Sequence, residues 1–118
     1  MVHLTTLRAD GSPQSRPVWT IVHDGHVVFF TQSASAKARD IARDGRVALS
    51  VADKANPYRS AWLRGRVGRV IEGDDALAII DRISDAYIGA PFPMRTGSVY
   101  VIEAEAQGDA DLPFKDKN

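Results

Sequence analysis

The residue pair Asp24-Gly25 constrains this chain more than any other two positions. It stands between residues 14–23 (QSRPVWTIVH) and 26–31 (HVVFFT), two runs rich in β-branched and aromatic side chains. A two-residue type I′ turn needs positive φ at both central positions, and Asp-Gly supplies that at little steric cost. The two runs are therefore expected to be the arms of a hairpin. A shorter run, residues 3–8 (HLTTLR), precedes them and is turned by Ala9-Asp10-Gly11-Ser12, which makes a three-stranded meander. Pro17 cannot donate to a ladder, so its strand belongs at an edge or carries a bulge there.

The stretch TQSASAKARDIARDGR, residues 31–46, breaks the β pattern. Ser33 and Ser35 are both N-cap candidates, because a serine Oγ accepts a bond from an orphan N–H of the first helical turn. Ala34, Ala38, Ile41 and Ala42 share one face at helical spacing, and Gly45 is placed to end the helix. Lys37 and Arg39 fall in the opening turn, where the helix dipole favours an acid. Two cations beside hydroxyls and free N–H groups suit an anion such as a phosphate. A solvated amphipathic helix is the plainer reading of the same residues.

Further strands are expected at residues 46–53, 60–72 and 97–105, with a second helix over 76–88 capped by Asp74-Asp75 and ended by Gly89. Residues 54–59 and 90–96 are Pro-containing loops. In the long strand Trp62, Arg64 and Arg66 share one face, and Leu63, Val67 and Ile71 share the other. Gly65 and Gly68 inside it point to a bend or a close backbone approach. Six strands and two short helices in this order make a mostly β, antiparallel barrel with helices over its ends. Residues 1–107 form one such domain, and 108–118 read as a polar tail.

The chain excludes several chemistries. With no cysteine among its 118 residues it has no disulfide or thiolate site. A formal net charge of zero argues against nucleic acid as a partner. The lack of a long apolar run or leader-like segment argues against a membrane and for the cytoplasm. His23 and His26 flank the hairpin turn with no third ligand nearby, so they line the turn and hold no metal. The GxSxG, P-loop and dinucleotide fingerprints are absent. No side chain is singled out for proton chemistry, so no catalytic residue is named. Tyr58, Arg59 and Trp62 form an aromatic and cationic group just before Arg64 and Arg66, suited to a planar, negatively charged ligand. Salt bridges across a subunit boundary would explain the two arginines equally well.

Four pieces in order carry a family likeness: LTTLRADGSPQSRPVW (4–19), VVFFTQSASAKARDIARDGRVALSV (27–51), NPYR (56–59) and LRGRV (63–67). Together they resemble the pyridoxamine-phosphate-oxidase-like flavin and deazaflavin proteins, a superfamily of FMN-binding split β-barrels. Within it they are most similar to the actinobacterial F420-dependent oxidoreductases. The resemblance implies a six-stranded split barrel and a homodimer with two cofactor sites at the subunit interface. It implies that Ser33, Lys37 and Arg39 lie against the cofactor phosphate, which favours the anion reading, with Ser35 and Ala36 also at the cofactor. Relatives have Arg or Gly near Ser35, which leaves the phosphate more dependent on Lys37. It places Pro17, Val18 and Trp19 along the ring system with Thr31 nearby. Tyr58, Arg59, Trp62 and Arg64 would face the cofactor or its small-molecule substrate, from the same chain or the partner. The cofactor carries the hydride in such enzymes, which accounts for the lack of a catalytic dyad.

The function implied is transfer of a hydride from reduced F420 to a small conjugated or unsaturated acceptor. An FMN-dependent oxidase or reductase on the same fold is one alternative. A non-catalytic flavin-, deazaflavin- or haem-binding protein is another. Such relatives have a helix before the first strand, whereas Met1 stands almost on it here, so one end of the barrel is expected to be less covered.

Overall fold

The computed structural model describes residues 1–56 and 59–111, the last two by their backbone only. The elements are β1 (Val2–Leu7), β2 (Pro13–Val18), β3 (Thr20–His23), β4 (His26–Thr31), α1 (Ala36–Arg43), β5 (Arg46–Ala52), β6 (Arg59–Ile71), α2 (Gly73–Ile88) and β7 (Ser98–Asp111). All seven strands join one sheet in the order β2-β1-β5-β6-β7-β4-β3, and every pair is antiparallel. The two outermost strands, β2 and β3, are separated in the chain by Trp19 alone. A single residue spans only a few ångströms. The sheet must therefore curl until its two edges nearly meet, and this makes the split barrel.

The same feature corrects the strand count. Residues 14–23 are two strands, not one: Pro17 pairs with His3 on one edge, and Thr20 pairs with Phe29 on the other. Pro17 is on an edge strand, as its missing donor requires. The hairpin turn also follows its local rule, with φ of 51° at Asp24 and 78° at Gly25.

Two cores form, one on each face of the curled sheet. Inside the barrel lie Leu4, Val18, Phe29, Val47, Leu49, Tyr100 and Ile102, closed by Ala38 and Ile41 of α1. On the outer face, Val28, Val99 and Val101 pack against Ala76, Ile79, Ile80 and Ile83 of α2. Strands β4 and β7 are covered on both faces, so neighbours such as Val28 and Phe29 are both buried. Helix α2 thus lies on the outside of the sheet, and α1 closes the interior.

Several boundaries differ from the sequence expectation. Helix α1 ends at Arg43 with Asp44 as its C-cap in an extended conformation, so Gly45 does not end it. Ala34 and Ala42 are exposed, and Asp40 is buried in their place with a bond from Arg43 Nη1 at 3.2 Å. Asp74 and Asp75 lie inside the first turn of α2, favourable to its dipole, while Glu72 is the N-cap. Gly89 does end α2, in the left-handed region at φ 69°. The last strand runs beyond residue 105 to Asp111, pairing with β6 as far as Arg59, so 108–111 are strand and not tail.

Gly65 and Gly68 mark the two register shifts between β6 and β7, the bend anticipated for them. No helix among the described residues is long and apolar enough to cross a membrane.

Candidate functional site

Helix α1 follows a turn at residues 33–34, and Ser35 is its N-cap in an extended conformation. The Ser35 Oγ accepts the Ala38 N–H at 3.1 Å and the Thr31 hydroxyl at 3.0 Å. Thr31 is itself buried at the end of β4, so strand and helix are tied at this corner. The cap fixes the first turn and with it the direction of Lys37.

Lys37 lines a cleft of about 210 Å³ together with Met1, Pro17, Val18, Trp19, Phe30 and Phe92. The walls are apolar, and Lys37 is the only charged side chain of the group. Among the described residues it has no hydrogen-bond or ion-pair partner, and no acid stands in the first turn of its helix. Burial pushes its ammonium pKa below the ordinary 10.5, and the neighbouring Arg16 cation acts in the same direction. An unmatched, half-desolvated cation beside a second cation favours an anionic ligand group.

The aromatic side of this cleft is tightly built. Trp19 stacks on Tyr87 at 5.2 Å and meets Phe92 edge-on at 6.3 Å, and Phe30 meets Phe92 at 4.9 Å. The Tyr87 hydroxyl accepts the Thr20 N–H at 3.1 Å and bonds the Thr20 carbonyl at 3.2 Å. Those bonds hold the chain where it passes from β2 to β3, so Pro17 to Trp19 present a fixed edge to the cleft.

The other expected site residues are distributed elsewhere. Ser33 opens into a second cleft with Ala38, Ile41 and the residues around Gly68. Ser35 is used as the cap, and Ala36 is the first residue of α1. Arg39 is exposed and folds back to donate to the Ala34 carbonyl at 2.7 Å. Arg59 begins β6 and is exposed, and Tyr58 lies outside the described residues. Trp62, 43 % exposed, lines a groove of about 560 Å³ with Leu49, Val51, Leu63 and Gly108 among its neighbours. Arg64 places its guanidinium 5.7 Å from the Trp62 ring centre. Within one chain Trp62 and Arg64 are therefore not brought to Lys37.

Size alone favours the Trp62 groove. Its lining, however, holds Asp109 and no cation, so it does not suit an anion, and the Lys37 cleft does. Residue-by-residue reading missed Met1, Phe30 and Phe92 as cleft walls. It also missed Gly108, over which the Trp62 indole lies: a Cβ there would come within 2.8 Å of Nε1. Only the Trp62–Gly108 register pairing reveals that role.

The sequence pattern of the family described as Pyridoxamine 5'-phosphate oxidase matches residues 1–108. Among solved structures, an F420 reductase is 29% identical, with 91% of this chain and 87% of that one covered and a TM-score of 0.81. A conserved hypothetical protein from Mycobacterium tuberculosis is 24% identical, covering 93% of this chain and 76% of that one, at a TM-score of 0.79. An FMN-binding, pyridoxamine 5'-phosphate oxidase-related protein from Nostoc punctiforme is 16% identical over 92% of this chain and 72% of that one, at 0.72. The last two likenesses concern the fold alone. Among curated proteins there is no significant match.

Proposed function

Because this chain belongs to the pyridoxamine 5'-phosphate oxidase family, we propose that it is an oxidoreductase using a flavin-type cofactor, and that the cofactor is F420. The single observation that carries this reading is Lys37: a half-buried cation with no carboxylate partner among the described residues, beside an apolar, aromatic-sided cleft. Its donor set fits a phosphate, and the Pro17–Trp19 edge fits a flat ring. When bound, such a cofactor supplies the hydride that reduces a small conjugated or unsaturated acceptor. The chain's own part is to hold the phosphate at Lys37 and to keep the ring along Pro17, Val18 and Trp19. It also excludes water with Phe30 and Phe92. Arg39 reaches the phosphate only if its bond to Ala34 opens, and Ser33 stays in the neighbouring cleft.

The preference for F420 over FMN rests on the likeness to the F420 reductase. Titrating the purified protein with F420 and with FMN tests it, and F420 is expected to bind more tightly. Equal or reversed affinities would assign the site to FMN.

A homodimer is part of the same reading. One chain's cleft, at about 210 Å³, falls short of the roughly 300–1,000 Å³ of ordinary ligand pockets. The exposed Trp62 and Val51 beside the larger groove offer an apolar surface to a second copy. The groove borders the Lys37 cleft, with Val2 and Thr20 lining the one and Met1 and Trp19 the other, so a two-fold partner seated there would bring its own Trp62 and Arg64 toward that cleft. Light scattering at micromolar concentration should give twice the mass of the 12.9 kDa chain. A stable monomer would remove the partner's contribution.

A further inference from the structure

Phe92 is held by an ion pair that its own burial does not require. Asp81, on the outer side of α2, accepts the Phe92 N–H at 3.1 Å and the Arg95 Nη1 at 2.8 Å on one oxygen. Its second oxygen accepts Arg95 Nη2 at 2.9 Å. Arg95 Nη1 also donates to the Phe92 carbonyl at 2.9 Å. Both main-chain polar groups of Phe92 are thus taken by one carboxylate–guanidinium pair. The loop is anchored independently on either side: Ser84 Oγ donates to the Ala90 carbonyl at 2.7 Å, and Gln32 donates to the Thr96 carbonyl at 2.7 Å.

The side chains of Arg95 and Asp81 are 53% and 32% exposed. A pair so open to water contributes little to stability. What it does hold is the backbone of Phe92, whose ring stands edge-on to both Phe30 and Trp19 across the cleft that holds Lys37. We propose that Asp81 and Arg95 are positioning residues that hold Phe92 as a fixed wall for the conjugated ring of the bound cofactor. This rests on the reading of the Lys37 cleft as the cofactor site, and it adds that ring recognition is set from α2, remote from the phosphate contact.

Ring and phosphate recognition separate if each cofactor is titrated beside its phosphate-free counterpart: F420 with the free 8-hydroxy-5-deazariboflavin, and FMN with riboflavin. Phe92→Ala and Asp81→Asn are each expected to weaken the phosphate-bearing and phosphate-free forms alike, by about tenfold. The melting temperature should barely move for Asp81→Asn, whereas Phe92→Ala, which removes a ring packed on Phe30 and Trp19, should lower it. Lys37→Ala should weaken only the phosphate-bearing forms. If the wild type binds none of the four, the cofactor reading fails and this inference with it. If the wild type binds and Asp81→Asn binds equally well, the ion pair is merely structural and the inference alone is overturned. A lowered melting temperature with unchanged affinities would overturn it in the same way.

Discussion

Lys37→Ala is expected to lower affinity for the phosphate-bearing cofactor roughly ten- to a hundredfold. Hydrogen bonds to charged groups contribute about 1.5–3 kcal/mol, which converts to that range of dissociation constants. Stability should hold or rise slightly, because alanine is the better helix former and the substitution removes a half-desolvated charge that has no partner among the described residues. Arg43→Ala should give the reverse pattern. Arg43 lies at the far end of α1 and bonds the buried Asp40 at 3.2 Å, so its loss should cost about 1 kcal/mol of stability and leave affinity unchanged. Isothermal titration and urea unfolding of the two variants separate these outcomes, and matching behaviour would rule out Lys37 as the phosphate contact.

The pH dependence of Lys37 has two signs, one for folding and one for binding. Its pKa in the folded chain lies below the ordinary 10.5. Between those values the unfolded chain holds the proton more fully, so this residue makes stability rise with pH across that window. Below the lowered value its cost is constant and complete. Cofactor affinity runs the other way, because the phosphate needs the charged ammonium. It should fall as pH rises through the lowered pKa, and Lys37→Ala should abolish that fall.

The second large effect is at Gly65. An L-residue there would put its Cβ 2.0 Å from the Glu103 carbonyl oxygen and 2.9 Å from the carbonyl carbon. The obstacle is the backbone of β7 at a register shift, which cannot rotate away as a side chain would. Gly65→Ala should therefore cost about 3 kcal/mol, the upper end of overpacking effects. The readout is a lower urea midpoint at unchanged slope. Gly45→Ala is the matched control. Its nearest neighbour would be the Val67 carbonyl oxygen at 3.5 Å, an ordinary contact, so stability should change little. A Gly65→Ala variant as stable as Gly45→Ala would mean that β6 and β7 do not approach so closely.

Features governed by a few neighbouring residues were readable in the sequence. The Asp24-Gly25 turn, the Ser35 cap, the left-handed Gly89 and the edge position of Pro17 each follow from local backbone chemistry. The ordered motifs carried the family and the barrel with them. The likeness implied a cofactor role for Pro17, Val18, Trp19 and Lys37, and the fold sets these four around one cleft.

Pairings between distant residues decided the rest. Nothing near Trp19 says that the chain crosses there from one edge of the sheet to the other, because that depends on which strands β2 and β3 find. Gly108 reads as tail until its register opposite Trp62 is known. Ser33 and Lys37 are four residues apart, yet the curl of the sheet gives them different clefts. Phe92 lies far in the chain from Phe30 and Trp19, and it joins them as a wall of the cleft where a loop held by Asp81 and Arg95 meets β4 and the β2–β3 crossing. Sequence spacing encodes periodicity and turn chemistry, which act over a few residues. The clefts arise where segments far apart in the chain meet, and only the folded sheet determines which segments those are.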